Sequence, residues 1–514
     1  MMMCERLLPR SVIVSRGRRA KRVEGMQIMK FFSSNLAQTW AESMRNLSRG
    51  MTLVLAVCLS ALCGITIAQP ISPLGSTTVR VQPILPSTIA PASPTTTSTE
   101  TKKLPPASHI GVVNCTNSLC HGAIKTWKES NVLQNEYITW SRVDRHARSY
   151  RTLFSDTSKR IVNKLDLPTS AHETKLCLDC HTHNPEPAKR GERIQISDGI
   201  QCEACHGAAS NWVESHAQAG VTHQQNVAAG LTPLSDPVKR ATLCLSCHMG
   251  NSDKYVNHRL MAAGHPRLSF ELETFVKLEP PHYQIDVDYL QRKQPWNTVK
   301  SWAIAQAVAV QTQMGILADP VRGRDGLFPE LTLFDCHACH HLMSDKRWQA
   351  TTSAIAVPGR VRVNDANLIM LRQIARQITP ALGAEVAAQF TSLHAAIGGV
   401  GGDAITEAKK TQALAGRVAL AVAAAKVDDN LLRAVIAGII DDGLGRRYID
   451  YAGAEQATMA ISSLVSYLYQ SGKTASARNI NAGLSGLQAA VSNDERYKPE
   501  AFQLALANFK ATLK

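Results

Sequence analysis

The sequence predicts a mainly helical chain. A cysteine- and histidine-rich region over residues 109–350 is followed by a C-terminal helical region over 351–514. Three observations carry this. Leu432, Val435, Ile436, Ile439 and Ile440 recur at three- and four-residue steps, as do Ile461, Leu464, Val465 and Leu468, which is the spacing of an amphipathic helix. Trp302 to Leu317 is a further apolar stretch of helical length. Ten of the 13 cysteines fall in five close pairs, each followed at once by histidine, a pattern foreign both to an ordinary cytosolic enzyme and to a disulfide scaffold.

The length of 514 residues implies roughly three domain-sized units, and 44% hydrophobic residues suffice for a core. Aromatics are thin at 5%, and the formal charge is +15. Residues 51–68 form one uncharged apolar run, preceded by Arg45 and Arg49 and followed by Gln69-Pro70. This is the layout of a secretory signal peptide cleaved after Ala68. An uncleaved membrane anchor is the rival reading, because the run is near spanning length. Val57 and Leu62 before Cys58 and Cys63 disfavour a lipoprotein. Met44 or Met29 is the expected start, since Met44 opens a conventional leader.

The segment 1–68 holds the three unpaired cysteines, Cys4, Cys58 and Cys63. It also carries ten Lys/Arg and three Asp/Glu, which leaves +8 on the rest. Residues 69–108 are rich in Pro, Thr and Ser and read as an extended linker.

Four pairs have the form Cys-x-x-Cys-His: Cys177/Cys180/His181, Cys202/Cys205/His206, Cys244/Cys247/His248 and Cys336/Cys339/His340. This is the attachment pattern of haem c. Two thiols a short turn apart add to the vinyl groups on one porphyrin edge, and the next residue presents its imidazole to the iron. Structural zinc or a disulfide-exchange motif is the alternative for any one copy. Zinc, however, does not require histidine after the second cysteine four times. The fifth pair is widened, Cys115-Thr-Asn-Ser-Leu-Cys120-His121. Alone it could be a local disulfide; beside four haem sites it reads as a fifth. Covalent haem is attached outside the cytoplasm, which agrees with the leader and implies a periplasmic or otherwise exported protein.

Twelve histidines remain as candidate second axial ligands. Context favours His146, His172, His216, His258 and His265. His146 lies between Trp140 and Tyr150 on an expected helix, His172 five residues before Cys177, and His216 after Trp212 on another expected helix. His258 and His265 bracket Arg259-Leu-Met-Ala-Ala-Gly264. His282, in Pro-Pro-His-Tyr, is held in reserve. His183, His337 and His341 read as neighbours of the haem rather than ligands. His109, His223 and His394 are background, and Met261 is packing. Arg142, Arg145, Arg148, Arg259 and Arg267 are natural partners for haem propionates, with solvated charge as the plain alternative.

From about His109 to Trp348 the motifs resemble the cytochrome c-554 and c-prime family of multihaem cytochromes. The matching residues include Cys115-x4-Cys-His, Asn135-Glu-Tyr-x-x-Trp140, His146-Ala-Arg, His172-x4-Cys177 and Asp198-Gly-x-x-Cys-Glu-x-Cys-His-Gly207. They continue with Cys244-Leu-Ser-Cys-His, Ala262-Ala-Gly-His-Pro-Arg-Leu268 and Phe334-x-Cys-x-Ala-Cys-His-His341. The resemblance covers roughly half the chain. It implies a multihaem cytochrome domain, mainly helical with little sheet, in which closely stacked haems have mostly two histidine ligands and carry electrons outside the cytoplasm. The best-known member, a tetrahaem cytochrome, carries electrons from hydroxylamine oxidation; five motifs, one of them widened, and the long C-terminal region depart from that pattern.

The C-terminal region has no cysteine and one histidine, His394. Asp428-Asp-Asn430 marks a helix start, Gly443 and Gly445 a stop, and Gly399-Val-Gly-Gly402 a break. A bundle packed on the haem domain is expected, as structural support or as a docking surface.

Three functions compete. An electron carrier predicts six-coordinate irons throughout. A reductase or oxidase of a small nitrogen or sulfur species needs one haem with an open position and a pocket of donors. A structural element of a larger conducting assembly is the third. Redox proteins are the expected partners, with membrane association through the N-terminal segment as a further option. Nucleic acid is set aside: half the basic excess is leader, and five haems with two propionates each add about −5 when ferric and about −10 when ferrous.

Overall fold

The structure, a computed structural model, describes residues 104–513 apart from 129, 131, 293–296, 342–360 and 471–476. The leader, its cleavage site, Cys4, Cys58, Cys63, most of the linker and the 350/351 boundary lie outside the described residues. Helix accounts for 61% of the described residues and strand for 2%. The sheet among the described residues is one two-stranded hairpin, β1 (Arg324–Asp325) against β2 (Phe328–Pro329). No described helix is long and apolar enough to cross a membrane.

The first half is a string of short helices. They are α1 (Glu136–Val143), α2 (Asp156–Leu165), α3 (Lys175–His181), α4 (Cys202–His206), α5 (His223–Ala228), α6 (Pro237–His248), α7 (His258–Ala263), α8 (Leu272–Leu278) and α9 (Val287–Arg292). Between 104 and 236 the polypeptide buries little apolar surface of its own. Its packing reduces to small groups such as Leu153, Ala171 and Leu178, or Ile161 with Leu260 and Ala263. Helices this short are not stable alone in water and depend on what packs against them.

The second half differs. Helix α10 (Thr298–Ala318) is apolar all round, starts on the Asn297 cap and is buried along most of its length. A helix without a polar face belongs inside a core, and α10 lies in the middle of one. Around it pack α6, α11 (Ala366–Ile378) and α13 (Ala404–Ala424), with α12 (Pro380–Ile397) beside α11 and α13. Helices α14 (Asp429–Leu444), α15 (Tyr451–Gln470), α16 (Ala477–Ala490) and α17 (Pro499–Thr512) complete the bundle. Asp428 caps α14 and Gly445 closes it. One continuous core runs from Ala241 in α6 to Phe509 in α17, so the apolar stretch between the fourth and fifth cysteine pairs contributes to the bundle's interior.

Expected and observed helices differ at residues 140–150. Helix α1 stops at Val143 because Asp144 is extended (φ −73°, ψ 134°), and its carboxylate accepts the His146 N–H at 2.8 Å. The chain continues as two 3-10 turns, His146–Arg148 and Tyr150–Phe154. His216 likewise sits on a 3-10 turn, Ser215–Ala217, rather than on an α-helix.

Candidate haem-binding site

Local helicity builds each attachment motif. In α3 and α4 the two cysteines are three residues apart and the histidine follows, so all three share one face of a turn. Helix α6 places Cys244, Cys247 and His248 on its last turn, and a 3-10 turn, Cys336–Ala338, opens the fifth motif. The widened motif begins at the end of the turn Val112–Cys115, and Asn117 closes its loop by accepting the Cys120 and Gly122 N–H groups at 2.9 Å.

Each motif histidine faces a second histidine at nearly one separation. Ring centroids are 6.2 Å apart for His121 and His216, 6.4 Å for His181 and His265, and 6.4 Å for His206 and His282. They are 6.3 Å apart both for His248 and His146 and for His340 and His258. An iron bound by two imidazoles requires this gap: two bonds of about 2.0 Å plus about 1.1 Å from each nitrogen to its ring centre give about 6.2 Å. The residues therefore fit haem.

Tautomer control supports the same fit. A ligating imidazole normally has its other nitrogen held, which leaves one nitrogen for the metal. His121 Nδ1 lies 3.0 Å from Glu136 and His146 Nδ1 3.1 Å from Asp144. His181 Nδ1 meets the Thr152 hydroxyl at 2.9 Å, and His216 and His265 Nδ1 meet the carbonyls of Val213 and Pro266 at 2.5 and 2.8 Å. Burial pushes His248 down to about 4 and lowers His181 and His265, favouring the neutral form that binds metal. The bonds to Glu136 and Asp144 raise His121 and His146 instead, against burial.

Four of the five sequence-favoured second histidines thus stand opposite a motif histidine. The structure does not bring His172 to such a position. Its ring stacks on Phe154 at 4.3 Å, because Ser170 and Glu173 fold the segment before α3 into its own turn. His282 stands opposite His206 in its place. Its segment follows α8, and the only sequence signal for it was the rigid Pro280-Pro281 pair.

Other residues settle as follows. His183 is buried edge-on to His109, His337 Nε2 donates to the Asp494 carbonyl at 2.8 Å, and His394 lies 3.0 Å from Asp365. Arg267 pairs with Glu455 at 2.7 Å and so ties the motif-bearing half of the chain to α15. Arg148 caps the end of α1 by donating to the carbonyls of Arg142 and Val143. Asp144, His146 and Glu279 present ligand atoms within 4.8 Å of one another; because His146 faces His248, this cluster is part of the histidine site.

Two features unread in the sequence position these groups. Gly199 has φ +72°, and a Cβ there would lie 2.5 Å from the His146 carbonyl, so only glycine lets this loop cross the His146 turn. Glu203, between Cys202 and Cys205, is buried and accepts the N–H groups of Ile110, Gly111 and Ala209 at 2.7–3.0 Å. It thereby clamps the first motif's approach to the third. Glu203→Ala leaves three donors without acceptors, two of them buried, and is expected to cost about 3–5 kcal/mol. Urea unfolding of the holoprotein reads this; a loss below about 1 kcal/mol would contradict the clamp.

Residues 114–207 match the family model described as cytochrome c554 and c-prime. That span contains the first three motifs and His146. No curated protein and no solved structure matches the chain.

Proposed function

Starting from a chain whose residues 114–207 match the cytochrome c554 and c-prime family, c-type cytochromes that carry covalent haem in electron transfer, we propose an exported electron carrier with five haems, each held between two histidines. The single observation that supports this is the set of five ring pairs at 6.2–6.4 Å, one for every attachment motif. The holding residues are Cys115, Cys120, His121 and His216; Cys177, Cys180, His181 and His265; Cys202, Cys205, His206 and His282; Cys244, Cys247, His248 and His146; and Cys336, Cys339, His340 and His258. Haem c supplies a one-electron iron couple when bound. The chain's part is to fill both axial positions, so that no substrate reaches the metal, and to set the sites side by side.

The placement of the cysteines supports that second task. Cys115 lies beside Cys202, and Cys180 beside Cys247. Cys205 in turn lies near Cys244 and Cys247. His258 and His265 serve the fifth and second motifs from one short segment. The motifs therefore adjoin in the order first, third, fourth, second, fifth. The terminal two have exposed cysteines, Cys120 and Cys339, where the chain can meet redox partners.

A pyridine haemochrome assay is expected to give five haems per chain. Ring orientation sharpens the EPR expectation. The planes are 87°, 81° and 84° apart in three pairs and 11° in the pair of His121 with His216. Perpendicular imidazoles leave two iron d orbitals nearly degenerate, whereas parallel ones split them. Three highly anisotropic low-spin signals and one ordinary rhombic signal are thus expected, with the His258/His340 pair at 41° between them. A dominant high-spin ferric signal would overturn the carrier reading and return the enzyme in its place.

A further inference from the structure

We propose that the arginine stripe Arg145–Arg148–Arg151 is a docking surface for an acidic redox protein. It serves the sites built around His146 and His181. The inference rests on the carrier reading above and adds a place and a partner chemistry to it.

The stripe follows from backbone geometry. From Arg145 to Ser155 the chain runs in 3-10 turns, with N–H groups bonding three residues back: Arg148 to Arg145, Ser149 to His146, Thr152 to Ser149 and Ser155 to Thr152. Side chains three apart then eclipse one another, and the sequence Arg-His-Ala-Arg-Ser-Tyr-Arg-Thr-Leu-Phe sorts into three faces. His146, Ser149 and Thr152 form the first: His146 faces His248, while Thr152 Oγ1 and the Ser149 carbonyl hold His181 Nδ1 at 2.9 and 3.3 Å. Ala147, Tyr150 and Leu153 form the second, which packs inward on Ala171 and Leu178. Arg145, Arg148, Arg151 and Phe154 form the third, and all four are exposed.

One turn of backbone therefore separates three guanidinium groups from the ligands of two sites. Between 142 and 164 the chain carries seven Lys/Arg against Asp144 and Asp156, and Asp144 is buried against His146. Val143 and Phe154 add exposed apolar surface beside the charges. A basic rim with an apolar contact over a short route to the metal favours rapid, salt-sensitive encounter with an acidic partner. In the encounter the partner's reduced centre loses one electron and a ferric site gains it; no bond is made or broken.

The test uses the holoprotein, with acidic flavodoxin hydroquinone as donor and a small uncharged reduced flavin as reference. For Arg145→Gln/Arg148→Gln/Arg151→Gln, the second-order rate with flavodoxin at low salt is expected to fall about tenfold and its salt dependence to flatten. The flavin rate and the reductive titration should stay as in the parent. Arg145→Gln/Arg151→Gln, which keeps the Arg148 cap on α1, should show most of the same loss. Sedimentation with oxidised flavodoxin should show weaker binding without any turnover. An unchanged flavodoxin rate in both variants overturns the proposal. So does an equal slowing of both donors with shifted potentials, which would make the arginines propionate partners. Arginine-dependent binding to phosphatidylglycerol vesicles with an unchanged flavodoxin rate would assign the stripe to a membrane and likewise overturn it. Failure of the parent to accept electrons from the flavin would instead defeat the carrier reading itself.

Discussion

Replacing His282 by alanine is expected to turn one low-spin haem in five into a high-spin, carbon-monoxide-binding haem. His172→Ala should leave the spectrum as it was. The pair of variants separates two readings that the sequence could not. His282 stands 6.4 Å from His206, ring centre to ring centre, with planes 84° apart. Its neighbour Tyr283 is edge-on to His282 and stacks toward Tyr289. Loss of the imidazole leaves the position opposite His206 to water or an added ligand. In the reduced holoprotein, carbon monoxide titration should reach one equivalent per chain in His282→Ala and none in the parent. One equivalent in His172→Ala, with none in His282→Ala, would exchange the two assignments.

The contrast between these histidines shows what was legible. A cysteine pair and the histidine after it are fixed by local covalent geometry, so all five Cys-Cys-His motifs can be read directly from the chain. A second ligand need satisfy no local rule. His282 reaches His206 from a loop behind a proline pair, 76 residues later in the sequence. His172 looked favourable because it precedes Cys177, yet Ser170, Glu173 and Thr174 spend that segment on a turn that delivers its ring to Phe154.

Helices show the same division. The three- and four-residue periodicity of α14 and α15 is local, and Leu432, Val435, Ile436, Ile461 and Leu464 are all buried as that spacing requires. The stretch around His146 carries a period of three. That period becomes meaningful only once Asp144 has ended α1 and the chain has tightened to 3-10 geometry. The arginines there, expected at haem propionates, are exposed on the outer face of that turn, and Arg267 is paired with Glu455.

Arg362→Ala is expected to produce a large loss of stability, about 3–5 kcal/mol. Arg362 sits where the bundle grips the fifth motif. Its backbone carbonyl accepts the Asp335 N–H at 2.8 Å, just before Cys336, and Asn364 N–H reaches Leu333 at 2.8 Å. Its guanidinium holds Asp365 at 2.8 Å and Asp450 at 3.3 Å, and His394 closes on Asp365 from α12 at 3.0 Å. Burial works against the Asp365 carboxylate, but Arg362 and His394 outweigh it and hold it down to about 2. Asp335 goes the other way: burial and the Asp450 charge push it up to about 7. Removing the one arginine leaves three carboxylates facing one another with little water, which is why the loss exceeds that of a surface pair. Thermal or urea unfolding of the holoprotein measures it, and a loss below about 1 kcal/mol would contradict the role given to Arg362. The opposite shifts also set a pH signature. Asp365 contributes stability that is present above its unfolded value of 3.8 and is lost as pH falls toward about 2. Asp335 binds a proton in the folded state that the unfolded chain has already released, so stability declines as pH rises from its unfolded 3.8 through about 7. Asp335→Asn is therefore expected to flatten that decline while leaving the acid limb in place. If the slope between pH 4 and 7 persists unchanged in Asp335→Asn, the decline arises from another group and the network's electrostatic account fails.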